Sequence, residues 1–395
     1  MRPHDPGPGL PVQSRAVHGL FALGRAHVRR DRGRAGARRP LSRLRRAGGL
    51  PAGRHGADHV HPCAGRLDEP LLLRLPGRRE LPGAGLPPRP GRRRGPGGGA
   101  AGGGLHPAGP GHRLALGPAH VGGLVGVGQG SETPSCMVVL EHDHEDAPED
   151  EHLVFVGKTM TYDSGGYSLK VNNGMLGMKY DGCGGFGVLG AMLLIAQRDL
   201  PVRVSALLPC AENMVDSTAY RPDDIITMMN GATVEVTNTD AEGRLIMADA
   251  LTYACTKLEP TAIVDMATLT GGIVVALGSW CGGMFCGDES LRHRLELSAD
   301  ETEEKLWPMP VWECHRDFMR ARHADLWNSG PKRDGHPIQG AAFLSHFVPE
   351  DMPWAHLDIA GVARTEGNAQ FCEGPTGFGV RLLADLAAGY AELEA

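Results

Sequence analysis

The chain changes character near residue 121, and that break decides how much of it can fold around a core. Residues 1–120 carry 22 Arg, no Lys and 6 acidic residues, a local charge of +16. The remainder carries 18 basic against 40 acidic residues, or −22, and the two parts sum to the chain's −6. Asn, Ile, Lys and Tyr are all absent before residue 121 and all present after it. Gly, Pro, Arg, Ala and Leu dominate the first part, and neither helical nor strand periodicity persists beyond a turn. Such a segment buries too little apolar surface to offset an ordering cost of about 1–2 kcal/mol per residue. Residues 1–121 are therefore expected to be a low-complexity segment without a fold of its own, and residues 122–395 a folded domain. The four missing residue types share A/T-rich codons, so GC-rich DNA read in an unintended frame or from a wrong start is one expected explanation of the segment. A solvated tail, or an Arg-rich arm binding nucleic acid electrostatically, are the alternatives. The whole chain, with a pI near 6.3, has no general affinity for nucleic acid.

Beyond the break, apolar segments alternate between short β-rich runs and longer helical ones. Strands are predicted over residues 137–141, 152–156, 202–208, 262–267 and 354–359. Helices are predicted over 182–197, 244–256 and 376–393, and an acidic solvated loop over 142–151. This alternation predicts an α/β fold: a three-layer sandwich around a mixed, largely parallel sheet. In such folds the chemistry gathers in loops after the strand C-termini.

Three segments concentrate ionisable groups in apolar surroundings: residues 156–170, Met178-Lys-Tyr-Asp181 and Asn238-Thr-Asp-Ala-Glu-Gly-Arg-Leu245. Together they hold four carboxylates (Asp163, Asp181, Asp240, Glu242), Lys158, Lys170, Lys179 and Arg244. Crowded carboxylates repel unless protonated or bound to cations. Two divalent ions about 3.5–4 Å apart would resolve the conflict, acidify a water and grip the oxygen of a scissile carbonyl.

The octapeptide 238–245 and the separations 158–163–170–181–240–242–244 resemble the leucyl aminopeptidase (cytosol aminopeptidase) family of metallopeptidases. Gly126-Val-Gly-Gln-Gly-Ser131, Ala211-Glu-Asn-Met214, Tyr220-Arg-Pro222, Ala267-Thr-Leu-Thr-Gly271 and Trp354-Ala-His-Leu-Asp-Ile-Ala-Gly361 add to the likeness, which covers about residues 122–395. The resemblance implies an aminopeptidase that removes the N-terminal residue of peptides with two divalent metal ions. Zinc or manganese are expected, with magnesium or cobalt as alternatives, since carboxylate-rich sites discriminate weakly. Asp163 and Glu242 would bridge the metals, Asp240 would complete the more exchangeable site, and Lys158 and Asp181 the tighter one. Lys158 would have to be neutral, its proton displaced by the metals' field; otherwise it would be a cation paired with Asp163. Lys170 would stay charged and hydrogen-bond the developing oxyanion, and Arg244 would hold a bicarbonate acting as general base. Met178, Thr268, Leu269 and Gly271 would line the substrate pocket.

The resemblance also implies a cytoplasmic homohexamer. The family's N-terminal domain, which helps build the hexamer, has no recognisable counterpart in residues 1–120, so assembly is expected to be impaired. An inactive scaffold of the same family is the competing reading beside the nucleic-acid arm. Asp181 is followed by Gly-Cys-Gly-Gly-Phe rather than a Gly-Ala-Ala run, and Phe186 is expected to alter packing behind the metals. No apolar run is long enough for a membrane span or a secretory signal. The nine Cys, without CxxC pairs, read as reduced thiols. Cys183, Cys210, Cys255, Cys281 and Cys286 are expected to act as small buried hydrophobes.

Overall fold

The computed structural model describes residues 121–368 and 372–391; the Arg-rich segment and its competing explanations lie outside the described residues. The first described helix is α1 (Gly122–Gly128). It is followed by β1 (Cys136–Asp143), β2 (Leu153–Gly157), β3 (Thr159–Asp163), α2 (Cys183–Gln197) and β4 (Arg203–Asn213). Next come β5 (Ile225–Thr227), β6 (Thr233–Glu235), α3 (Gly243–Tyr253), β7 (Ala262–Ala267), α4 (Gly271–Leu277) and β8 (Gly282–Cys286). Then α5 (Glu289–Thr302), β9 (Leu306–Pro308), α6 (Glu313–Phe318), β10 (Leu326–Trp327), α7 (His336–Leu344), β11 (Trp354–Asp358) and α8 (Val380–Ala391) complete the main elements.

The central sheet has the order β1-β4-β2-β7-β11-β8-β9, with β3 also pairing β4. Strands β4, β2, β7 and β11 run parallel, while β1 joins β4 and β8 joins β11 antiparallel. The expected mixed, largely parallel sheet is thus present. Its central strands are buried on both faces, which explains their near-continuous apolar runs. Val154 and Val156 of β2 join a core with α1, α3 and α7 residues. Leu153 and Phe155 join a second core with residues of α2, α5 and α8. One layer of helices on each face gives the predicted three-layer sandwich.

Several boundaries differ from the sequence reading, each for a local reason. Strand β4 runs on to Asn213 because β3, continuing the line of β2, pairs with its second half. The helix expected over 244–256 becomes a π-helical turn at Ala254–Leu258 and stops at Glu259, whose φ of 50° is left-handed. The closing helix begins only at Val380, because Gly377 and Gly379 have φ of 70° and 91°. The acidic loop is shorter than expected. His142 belongs to β1 and is buried, its Nε2 donating to the Leu200 carbonyl. His152 is buried too; its Nδ1 donates to the Leu258 carbonyl while Nε2 accepts from Ser205. Of the five cysteines expected in the interior, Cys183 is buried and the other four are half-buried. No described helix is long and apolar enough to cross a membrane.

Candidate functional site

Lys158 occupies the one-residue break between β2 and β3. Its backbone is pinned on both sides: the N–H donates to the Met266 carbonyl and its carbonyl accepts from Gly185. That second bond requires α2 to start almost in contact with the sheet. A Cβ on Gly185 would fall 1.9 Å from Thr159 Oγ1, and one on Gly184 2.3 Å from the Met266 carbonyl. The Gly-Cys-Gly-Gly run is what this approach demands, and it sets Asp181 just ahead of the helix. Phe186, expected behind the site, instead turns outward and is half exposed, because the buried face of the first turn is taken by Cys183, Gly184 and Gly185.

The remaining groups arrive from the C-terminal ends of parallel strands and from the turn before α3. Asp163 ends β3 beside its register partner Asn213, the last residue of β4. Asp240 and Glu242 stand in the turn that leads into α3, and Thr268 follows β7. Gly243, next to Glu242, leaves the channel through which the Lys158 side chain passes; a Cβ there would lie 2.5 Å from Lys158 Cε and 2.7 Å from Nζ.

Lys158 Nζ lies 2.9 Å from Asp181 Oδ2, 2.8 Å from Glu242 Oε1 and 2.9 Å from the Thr268 carbonyl. Its ion-pair partners are therefore Asp181 and Glu242 rather than the Asp163 of the sequence alternative. Lys170 Nζ takes the other half of the cluster, 2.7 Å from Asp163 Oδ2 and 2.6 Å from Asp240 Oδ1. Asp163 Oδ1 accepts from Asn213 Nδ2 at 2.8 Å and from Gly165 N at 2.9 Å. Thr268 Oγ1 donates to Asp181 Oδ1 at 2.8 Å.

Burial dominates the electrostatics. It raises Asp181 to about 7 and Asp240 to about 6, with Glu242 and Asp163 adding repulsion. Burial and Glu242 likewise raise Asp163. Glu242 goes the other way: burial would raise it, but Lys158 and Lys170 hold it below its ordinary value. Burial would lower both lysines, but the surrounding carboxylates overcome it and hold both above their ordinary value. Arg244 is buried and brought down to about 10 by desolvation. Its NH1 donates to the Asn328 carbonyl at 2.8 Å, while Nε has no hydrogen-bond partner.

These residues fit divalent cations. Asp163, Asp181 and Glu242 each turn one carboxylate oxygen into a volume in which these atoms all lie within 4.8 Å of one another. Asp181 Oδ2 and Asp240 Oδ1 are buried beside lysine ammonium groups but off any hydrogen-bonding direction. Such oxygens are available to a metal, and an oxygen-rich donor set with one amine suits hard or borderline dications.

All seven predicted metal and catalytic residues are thus placed at or beside one cluster. The predicted pocket residues divide. Thr268 is in the cluster through both its hydroxyl and its carbonyl. Leu269 is half-buried against Gly340, Met178 is half-buried in a short 3-10 turn, and Gly271 opens α4 with free space around its Cα. Residue-type reasoning passed over Asn213, Asn328 and Asp358 as site residues. Asn213 binds Asp163 and the Thr239 carbonyl, and Asn328 binds the Asn238 carbonyl. The motif Ala211-Glu-Asn-Met214 held the signal for Asn213. A cavity of about 340 Å³ opens beside Cys183, lined by Phe186, Ile359, Ala363, Pro375 and Phe378. A larger one, about 650 Å³, is lined by Trp280, Glu303, Lys305 and Arg364 among others and includes none of the cluster residues.

Fold and site together define a class: an α/β protein carrying a buried, carboxylate-rich centre suited to divalent metals. The chain belongs to the cytosol aminopeptidase family, whose catalytic-domain profile matches residues 113–384. It is 44% identical over 267 residues to a "Probable cytosol aminopeptidase" of Nitratidesulfovibrio vulgaris, covering 67% of this chain and 52% of that one. A relative of the same description from Solibacter usitatus is 46% identical over 268 residues, with 68% and 55% covered. Among solved structures, the bottromycin maturation enzyme BotP is similar at a TM-score of 0.64 and 37% identity, covering 69% of this chain and 59% of that one. The same enzyme in complex with Mn gives a TM-score of 0.65 at 36% identity, with 69% and 60% covered. The chain spans about half the length of the relatives it matches.

Proposed function

We propose that this protein is a metal-dependent aminopeptidase that hydrolyses the N-terminal residue from peptides, with its centre formed by Lys158, Asp163, Asp181, Asp240 and Glu242. The observation that carries this reading is the convergence of four carboxylates and two lysines from three separate segments into one buried cluster. Membership of the cytosol aminopeptidase family and the Mn complex of BotP support it. Two divalent cations, when bound, would polarise the scissile carbonyl and acidify a water at neutral pH. Asp163, from the Lys170 half of the cluster, and Glu242, from the Lys158 half, would hold the two ions jointly. Lys158 would serve as a neutral ligand, its neighbours Asp181 and Glu242 turning from ammonium to metal.

Lys170 has its side chain 17% exposed, at the open edge of the cluster. Its charge lets it donate to the oxygen that becomes negative during attack, an interaction stronger in the transition state than in the ground state. Arg244, whose buried Nε has no hydrogen-bond partner, lies within electrostatic reach of Glu242, and a bicarbonate held by it would take the proton of the attacking water. Met178, Thr268, Leu269 and Gly271 would shape the pocket for the leaving N-terminal side chain. The protein would work in the cytoplasm as a homo-oligomer, a hexamer by family likeness, with residues 122–395 as its catalytic domain. The test is hydrolysis of leucine anilide by the purified full chain. Chelator should abolish it, and Mn²⁺ or Zn²⁺ should restore it; cleavage that survives exhaustive chelation would overturn the metal assignment.

A further inference from the structure

Strand β11 places three polar residues at alternate positions, the half-buried Trp354 and the buried His356 and Asp358. The first two have an evident partner. Asp265, the register neighbour of His356 on β7, accepts from Trp354 Nε1 at 2.7 Å and from His356 Nδ1 at 2.5 Å. Asp358 is as buried as His356, with no ion pair within 4 Å among the described residues, and burial pushes its pKa up. A carboxylate in such a place is costly unless hydrogen bonds satisfy it. Those bonds go mainly to one segment. Oδ1 accepts from Leu269 N at 3.1 Å, Thr270 N at 3.4 Å and Ala360 N at 3.2 Å. Oδ2 accepts from Thr270 Oγ1 at 2.6 Å, and that oxygen in turn caps α4 by accepting from Ile273 N. Leu269 and Thr270 directly follow Thr268, whose carbonyl meets Lys158 Nζ and whose hydroxyl meets Asp181.

We propose that Asp358 is a positioning residue for the metal centre: it clamps the backbone of 269–270 and so fixes Thr268 against Lys158 and Asp181. The proposal rests on the metal-centre reading of that cluster. The Lys170 half is held by other groups, Asn213 and Gly165 on Asp163. Asp358 therefore acts on the Lys158–Asp181 half alone. Its charge also faces His356 and Arg244, so the isosteric amide separates the clamp from that charge. An Asn side chain in the same place offers its carbonyl to the three N–H groups and its NH₂ to Thr270 Oγ1, and so preserves the clamp.

The test is Mn²⁺ binding to the full chain by calorimetry, with thermal melts alongside. Wild type should bind two ions. Asp358→Ala should weaken one of them by about tenfold to a hundredfold, the range seen when groups behind metal ligands are lost, and leave the other unchanged. Asp358→Asn should stay within about threefold of wild type. Thr268→Val should reproduce the Asp358→Ala defect, and the double variant should be no worse than either single one, because both act through one contact. Should Asp358→Ala fail to fold, Thr270→Val removes the shortest bond of the clamp and should show the same one-site weakening. Unchanged Mn²⁺ affinity in folded Asp358→Ala or Thr270→Val overturns the proposal. So does an Asp358→Asn loss as large as that of Ala, which would assign the effect to charge. A wild type that binds no Mn²⁺ overturns the metal-centre reading instead, and this assignment with it.

Discussion

Lys158 shows how a single side chain organises the site. An ammonium group buried among Asp181, Glu242 and the Thr268 carbonyl supplies positive charge to the carboxylates around it. Its path depends on the glycine at 243, which the octapeptide carries between Glu242 and Arg244. A methyl group there would meet Lys158 Cε and Nζ well inside contact distance. Gly243→Ala is expected to displace the Lys158 ammonium and lower both Mn²⁺ affinity and kcat/KM by at least about tenfold. Titration calorimetry and steady-state kinetics check this; unaltered metal binding in a folded Gly243→Ala protein would mean that Lys158 contributes nothing to the centre. The sequence made every one of these ionisable residues visible, because their types and spacings are local facts. It did not reveal that Lys158 prefers Asp181 and Glu242 to Asp163, since those partners stand 23 and 84 positions away.

At the level of elements, α3 does two jobs. Its N-cap Glu242 and its first-turn residue Arg244 are delivered to the site, and its middle holds Asp249 in the core. Asp249 accepts from Leu124 N at 2.9 Å with Oδ2 and from Met229 N at 2.9 Å with Oδ1, tying α1 and the β5–β6 turn to α3. Burial raises this carboxyl to about 6. Its unfolded value is about 3.9, so the folded state binds the proton more tightly. The stability linked to Asp249 is therefore fully present below pH 4 and is lost as pH rises through 6. Asp249→Asn cannot titrate. The stability of wild type relative to this variant should fall by on the order of 2 kcal/mol between pH 4 and pH 7 and stay flat above. Denaturant melts of both proteins across that range decide it; a difference independent of pH would show that the buried carboxyl does not titrate there. The helix itself was legible from its apolar pattern. Its π-helical end was not, because the widening of the last turn depends on packing rather than on residue type.

For the molecule as a whole, the composition of the chain changes most sharply near residue 121. The folded sandwich described begins with Val121, already buried, and the family profile begins at residue 113. The composition of residues 1–120 predicts that limited proteolysis will remove them first and leave a resistant fragment starting near Gly122. Mass analysis of the digest checks this, and a resistant fragment from within residues 1–120 would sink it. The cluster of carboxylates and lysines should be retained in the trimmed protein, since all of its members lie between Lys158 and Glu242.

By itself the sequence determined the alternation of strands and helices, the largely parallel sheet and the inventory of charged groups. Each of these follows from short-range sterics and from the solvent preference of single side chains. The tertiary structure alone decided which charges meet and what holds them. Asn213 reaches Asp163 only because β3 pairs in parallel with the far half of β4. Asp358 reaches the loop after β7 only because β11 is its neighbour in the sheet. Both contacts depend on strand order, a property of the whole chain's packing and not of any segment within it.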